Sequence, residues 1–394
     1  LVTLLAGSGF SHHNDPYEAG YLAAHQALEP LNKEEPALLI TFITPHYHHA
    51  AVVEGITFAS GKVPLIGCST CGVISMQGAC EEGVVVLALH DPSMQVSLAM
   101  QEGLSVNPLA SVERVTEQLE QKRSFFQIGR QTTALTFADG VHGMRVIDQA
   151  LQYATTVFGP FCSIVGGGAG SLQGGDAPLF MQEKTSYDAL GMALLVSKNP
   201  AGVGVRHGWQ PSGERMLITR SEGSIIYQLD HKPAFEAYRE RFPDENLTPE
   251  TFPAHSMAYP LGFVLIDNEL LVRVPRRVLP DGAIECAGTL PGNAVTYIMK
   301  GHPDSLLYAA QAAAQQAMAQ LGGKPAAAAL IIECASRPQL LDKQTEIELT
   351  LVRDIVGKNT PIIGMYGLGE FAASIAAVNV HHKTIVVYVI GNGL

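Results

Sequence analysis

The chain has 394 residues, with 25 basic and 37 acidic side chains and a formal charge of −12. Apolar residues make up 47% and charged ones 16%, which excludes a disordered chain, because disorder goes with low hydrophobicity and high charge. The acidic balance and the scatter of Lys and Arg argue against nucleic acid or an anionic membrane as partner, since phosphates call for a basic face.

No apolar run reaches the roughly 18 residues of a membrane span. The opening Leu1–Leu5 has no basic flank and runs into Gly7-Ser8-Gly9, so it reads as a first strand and not as a signal peptide. Six cysteines (Cys68, Cys71, Cys80, Cys162, Cys286, Cys334) lie in strand-like or Gly-rich contexts. They read as buried thiols of a reducing compartment, and the expected location is cytoplasmic.

Three segments then share one grammar. The first runs from Leu38–Ile43 through a helical stretch Tyr47–Ser60 to Pro64–Thr70, and ends in Gly83–Leu89. The second runs from Thr133–Asp139 through Gly143–Phe158 to Ser163–Gly168, and ends in Gly191–Val196. The third runs from Ala329–Cys334 through Lys343–Val356 to Pro361–Gly367, and ends in Thr384–Ile390. Val- and Ile-rich runs bounded by Gly and Pro fit buried strands, while the middle stretches carry helical spacing, as with Ile347, Leu351 and Ile355. A helix between the first two strands predicts parallel pairing by a right-handed crossover, and the third strand is free to pair antiparallel. The expected fold is α/β, with mixed sheets built from repeated strand-helix-strand-loop-strand units. An α+β layered sandwich is the alternative.

Between the second and third units, Asp281-Gly282 and Pro291-Gly292 punctuate short runs such as Leu270–Val274, which predicts an antiparallel meander. An Ala-rich helix over Asp304–Leu321 follows, nearly free of charge and so expected to be buried. The domain boundary is placed near Gly213–Ser221, dividing the chain into 1–215 and 216–394.

Gly67-Cys68-Ser69-Thr70-Cys71-Gly72 resembles the first signature of the FIST family. Gly208-Trp209-Gln210-Pro211-Ser212-Gly213, then Ile218-Thr219 and Asp230 through Pro233-Ala234-Phe235, resembles its inter-domain region. Glu333-Cys334-Ala335-Ser336-Arg337, Gly364–Glu370 and His381-His382-Lys383-Thr384 resemble its C-terminal signature. The chain departs from the family pattern at Cys71, where a small residue is usual, and at His382, where Asn is common. The resemblance implies an N-terminal and a C-terminal FIST sensory domain that bind a small, amino-acid-like ligand. It also implies signalling through a separate protein, such as a histidine kinase or a cyclase. Stand-alone members include haem-binding nitric-oxide sensors (the NosP branch), so haem is an expected cofactor of that version.

The turn after the second strand of the first unit places Cys68, Ser69, Thr70 and Gly72 where open α/β sheets hold ligands. The bland alternative is a tight crossover turn. Arg337 offers a bidentate fork to a carboxylate and Glu370 can accept from an ammonium, unless the two brace each other. Asp139, at the equivalent strand end of the second unit, and Tyr366 complete the expected ligand set. Cys68-x-x-Cys71 lacks the second ligand pair that zinc needs. Gly367–Ala372 fits G-x-G-x-x-A but lacks a following helix and acid, so no dinucleotide site is expected.

Of 14 histidines, His12, His13, His46, His48 and His49 follow strands and are the candidates for a haem-iron ligand. His207 and His231 flank the inter-domain motif, and His381 reads as structural. No C-x-x-C-H, G-x-S-x-G, P-loop or H-E-x-x-H motif occurs, so neither covalent haem nor an enzyme is expected. Three functions remain in view. They are a haem-based nitric-oxide sensor, a haem-free receptor for an amino acid or similar metabolite, and an interaction scaffold whose apolar content serves a homodimer face.

Overall fold

Each of the three repeated segments forms its strands and helix within a few residues of the sequence expectation. A computed structural model describes residues 4–120, 129–265, 270–291, 294–373 and 378–393. Of the opening Leu1–Leu5, residues 1–3 lie outside the described residues, and the first strand runs Leu5–Ser11. In the first unit, strands Leu38–Ile43 and Leu65–Ser69 pair in parallel across helix His49–Ser60, and Val84–His90 pairs antiparallel with the first of them. The second unit repeats this with Gln131–Asp139, Ile147–Phe158, Cys162–Ala169 and Ala189–Ser197. The third repeats it with Ala326–Cys334, Thr345–Val356, Ile362–Gly367 and Ile385–Gly391. The fold is therefore α/β with mixed sheets.

The register carries the repeat to single residues. Gly67 lies opposite Thr41, Gly166 opposite Thr136, and Gly364 opposite Ile331. An added Cβ would stand 1.9 Å from the Thr41 carbonyl oxygen at Gly67, and 1.7 Å from that of Thr136 at Gly166. The close approach of first and second strands admits only glycine there.

Two further elements per unit were not legible as part of the repeat. A lead strand (Leu5–Ser11, Gln95–Glu102, Ala201–Arg206) pairs antiparallel with the third strand of its unit. A lead helix (Pro16–Leu28, Pro108–Glu120, Pro303–Ala319) covers the outer face of the sheet. The Ala-rich helix is the third of these. Its buried Ala309, Ala310, Ala313, Ala314 and Ala317 let it lie against the strand Ala201–Arg206.

The hairpin that follows each second strand leaves its own sheet. The first unit's hairpin, Val73–Ser75 with Gly78–Cys80, pairs with the second strand of the third unit. The second unit's, Leu179–Met181 with Lys184–Ser186, pairs with the first unit. The third unit's, Glu370–Ala373 with Val378–His381, pairs with the second. This cyclic exchange yields three six-stranded sheets of matching strand order. It also covers edges that would otherwise be open. The inner faces of all three sheets pack into one core, where Phe42 meets Phe137 edge-on at 5.5 Å between ring centroids. Outer faces pack under their own helices.

In the helix Thr345–Val356 the buried stripe is Thr345, Glu348, Leu349, Val352 and Val356. It lies beside the expected Ile347–Leu351–Ile355 row, and Ile347 is 48% exposed. The meander between the second and third units is an eight-stranded antiparallel sheet, inserted between the third lead strand and its lead helix. Arg273 of the insert and Asp148 of the second unit, both buried, stand 3.6 Å apart and join the two bodies.

Candidate functional site

The carboxyl ends of the three second strands converge, and backbone bonds tie them together. Cys71 N–H donates to the Tyr366 carbonyl at 2.8 Å, and Tyr366 N–H donates to that of Gly72 at 3.0 Å. Gly170 N–H donates to Ser69 O at 3.2 Å, while Gly168 N–H and Leu368 N–H donate to Gly369 O and Gly168 O, each at 2.9 Å. First, second and third units thus meet at one point, for the reason open α/β sheets hold ligands there: strand ends leave a crevice between diverging loops.

A groove of about 550 Å³ opens beside this junction. Its walls come from Pro45, His46 and Cys71–Gly72 with Ala79–Glu82 of the first unit, Ser171–Gln173 of the second, and Ala335, Pro338, Gln339, Asp342, Thr345 and Tyr366 of the third. The charged lining is one-sided. Glu81, Glu82 and Asp342 face it, and among the described residues neither Lys nor Arg does. Cys71 is held protonated, its thiol pushed up to about 12 by burial and then by Cys334.

Gly72 and Tyr366 of the expected ligand set line this groove. The Tyr366 hydroxyl is buried without a partner, and burial followed by Glu333 and Glu348 pushes its pKa well up. Cys68, Ser69 and Thr70 lie beneath the surface, fully buried. The Cys68 thiol meets the Met365 sulfur at 3.7 Å, and the Thr70 hydroxyl lies 2.8 Å from the carbonyl oxygens of both Gly72 and Tyr366.

Asp139 is buried at another corner. There it accepts from the backbone N–H groups of Val141 (2.8 Å), His142 (2.9 Å) and Asp188 (3.0 Å), and its second oxygen lies 3.0 Å from His142 Nδ1. That ties the end of the first strand to the start of the third. Thr44 does the same in the first unit, its hydroxyl accepting from Gly83 N–H at 2.9 Å.

Arg337 and Glu370 do not pair with each other. Arg337 is fully buried and donates to Glu333 at 3.1 Å, to Glu348, and to the carbonyls of His207 (2.6 Å), Lys383 (3.2 Å) and Leu306 (3.2 Å). Those bonds use its five donors. Glu370 is fully buried, accepts from Thr384 N–H at 3.2 Å, and is pushed well above the carboxylate range by burial. Trp209 packs between Arg337 and Lys383, with the cations 6.0 and 5.6 Å from its ring. Gly208 allows this by a φ of +83° and a close approach to the Ser305 carbonyl oxygen, 2.8 Å from an added Cβ. The residues that make the C-terminal signature recognisable are thus a buried structural cluster.

The five candidate histidines are dispersed. His12, His13 and His48 are exposed. His49 packs against Phe180 with ring centroids 5.3 Å apart and the planes tilted by 37°, and burial, then His48 and His46, lower its pKa to about 4. His46 alone of the five lines the groove, its ring 3.0 Å from the Thr44 hydroxyl and 3.8 Å from Glu82. Among the described residues no three His, Cys, Asp or Glu side chains gather into a metal-binding group. A haem needs one imidazole, two apolar faces and cations for its propionates. The groove offers His46 but meets the propionates with three carboxylates, so its residues do not fit haem.

Sequence reasoning did not reach Glu81, Glu82, Gln339 and Asp342. Glu81 and Glu82 lie in a loop of the first unit and Gln339 and Asp342 in the short helical turns after the first strand of the third, and aligning the three units on their strand ends is the signal that would have collected them. A search of the curated proteins finds no match. Among solved structures, the chain is similar to a cyanuric acid hydrolase described as an innovation by structural concatenation, at 14% identity and a TM-score of 0.28. That likeness covers 50% of this chain and 70% of that one. It is also similar to PurL of Thermotoga maritima complexed with ADP, at 9% identity and a TM-score of 0.25, covering 99% of this chain and 72% of that one. At these scores neither carries an argument about function. The FIST N domain matches residues 37–232 and the FIST C domain matches residues 234–373. With both domains matched in order across most of its length, the chain belongs to the FIST family of small-ligand-binding sensory proteins.

Proposed function

We propose that this chain is a haem-free sensor whose ligand sits in the acidic groove and carries an ammonium group, as amine and amino-acid metabolites do. The observation that carries this is the lining: Glu81, Glu82 and Asp342 face one volume, with no Lys or Arg among the described residues to neutralise them. A bound ammonium would satisfy those carboxylates by charge-assisted hydrogen bonds. All three units contribute walls, so a ligand that contacts all three favours one arrangement of them over another. A separate histidine kinase or cyclase reads that arrangement, by the same differential affinity that binds the ligand. Six unbridged cysteines support a reducing, cytoplasmic setting.

The test is thermal denaturation of the full chain against a panel of amino acids and polyamines, followed by titration calorimetry of any hit. A rise in Tm is expected, with at least a tenfold weaker Kd in Asp342→Asn and Glu82→Gln, about 1.4 kcal/mol each. An empty panel, or variants that bind as the parent does, overturns the reading. So does a stoichiometric Soret band on adding haemin that shifts with nitric oxide, which would favour the haem sensor instead.

A further inference from the structure

A second cleft lies across the loop that carries Ser171, which lines both cavities. It measures about 450 Å³ and has the opposite charge. One wall is the loop after the first strand of the second unit, with Gly140, Val141, His142, Met144 and Arg145; the other is the inserted sheet, with Arg276, Arg277, Glu285, Cys286 and Ala287. Glu285 is held between two arginines, Arg145 at 3.2 Å and Arg277 at 2.5 Å. Arg276 forms no ion pair among the described residues. His142 carries a raised pKa through its bond to Asp139, which offsets its charge.

Three guanidinium groups against the one lining carboxylate, Glu285, leave an excess of positive charge in a chain whose net charge is −12. Asp188 and Asp176 act on the His142 side of the cleft, where with Asp139 they raise the His142 pKa, and no ion pair joins either of them to Arg276 among the described residues. Asp148 is engaged by Arg273, and burial, with Arg273, His381 and Arg276 adding to it, holds His382 uncharged. Clustered arginines repel unless an anion joins them, and their planar forks match carboxylate and phosphate oxygens. Met144, Leu368 and Ala287 give the same cleft an apolar floor.

We propose that this cleft is a second ligand site, which takes a small multiply charged anion, phosphate or carboxylate, on Arg276 with Arg145 and Arg277. Because its walls belong to two bodies, the anion bridges the insert to the three-unit core and reports on their arrangement. The site is independent of the acidic groove, and its failure leaves that reading standing.

The experiment is titration calorimetry of the full chain with inorganic phosphate, pyrophosphate, succinate and citrate at matched ionic strength. Saturable binding of at least one is expected, and which arm responds separates phosphate from carboxylate. Arg276→Ala, which breaks no ion pair, is expected to weaken binding at least tenfold. Arg215→Ala, at an exposed position of the insert outside the cleft, is expected to leave it unchanged. Circular dichroism of Arg276→Ala checks that the variant is folded. No saturable binding by any of the four anions, or equal loss in both variants, overturns the proposal.

Discussion

The corner where the first strand ends is built from the same grammar in every unit, and in the second and third units the two corners do opposite things. In the second unit the Asp139 carboxylate ties the strand to Asp188 by accepting from its backbone N–H, and leaves His142 half exposed at the mouth of the basic cleft. In the third unit Arg337 makes the corresponding tie, to the Lys383 carbonyl, but from a fully buried position between Glu333 and Glu348. One corner buries its carboxylate but leaves the histidine paired with it half exposed. The other closes over its polar groups, and the adjoining groove keeps its charge in the surrounding loops and turns. Equivalent topology thus sets where polar side chains gather, while burial decides whether they remain available to a ligand.

The largest expected effect is at the closed corner. Arg337→Ala strands two buried carboxylates and three carbonyls, and a loss of about 3–5 kcal/mol in urea unfolding is expected. Asp139→Ala leaves three backbone N–H groups short of an acceptor at a half-open corner, where water replaces part of the loss. A cost of about 1–3 kcal/mol is expected by the same measurement. Should Asp139→Ala cost as much as Arg337→Ala, the contrast between closed and open corners fails.

The smallest effect is one of slope. Burial, then Glu348, pushes the Glu333 carboxyl well above the usual carboxylate range. A carboxyl raised in the folded state contributes stability that is full below the unfolded pKa and is lost as pH rises through the folded one. The parent chain should therefore lose stability from pH 5 upward through Glu333 and Glu370. Glu333→Gln, which keeps a hydrogen-bonding group beside Arg337, should flatten that decline. Chemical denaturation at pH 5, 7 and 9 decides it, and an unchanged slope would remove Glu333 from the account.

Much of the repeat was legible. Strand and helix periods are local, and Gly67, Gly166 and Gly364 mark the same register position in all three units. A first strand was expected at the opening of the chain, but the lead strand Gln95–Glu102 escaped because it alternates half-buried positions and carries polar residues that break a hydrophobic run. The hairpin exchange escaped for a different reason: nothing within Val73–Cys80 says which second strand it will join. At the site, Gly72 and Tyr366 belong to recognisable motifs and do line the groove. Arg337 and Glu370 stand out in the sequence as polar residues at strand ends, and the fold buries both.

By itself the sequence determined the α/β class, the threefold grammar, the inserted antiparallel sheet and the FIST family, because each depends on spacing along one stretch of chain. Only the tertiary structure decided that the three units exchange hairpins around one core. It also decided that the signature arginine is sealed among carboxylates, and that unremarkable acids and arginines from distant segments line two cavities of opposite charge. Those outcomes depend on which surfaces meet and which exclude water, and burial and charge proximity are properties of the packed molecule, not of neighbours in the chain.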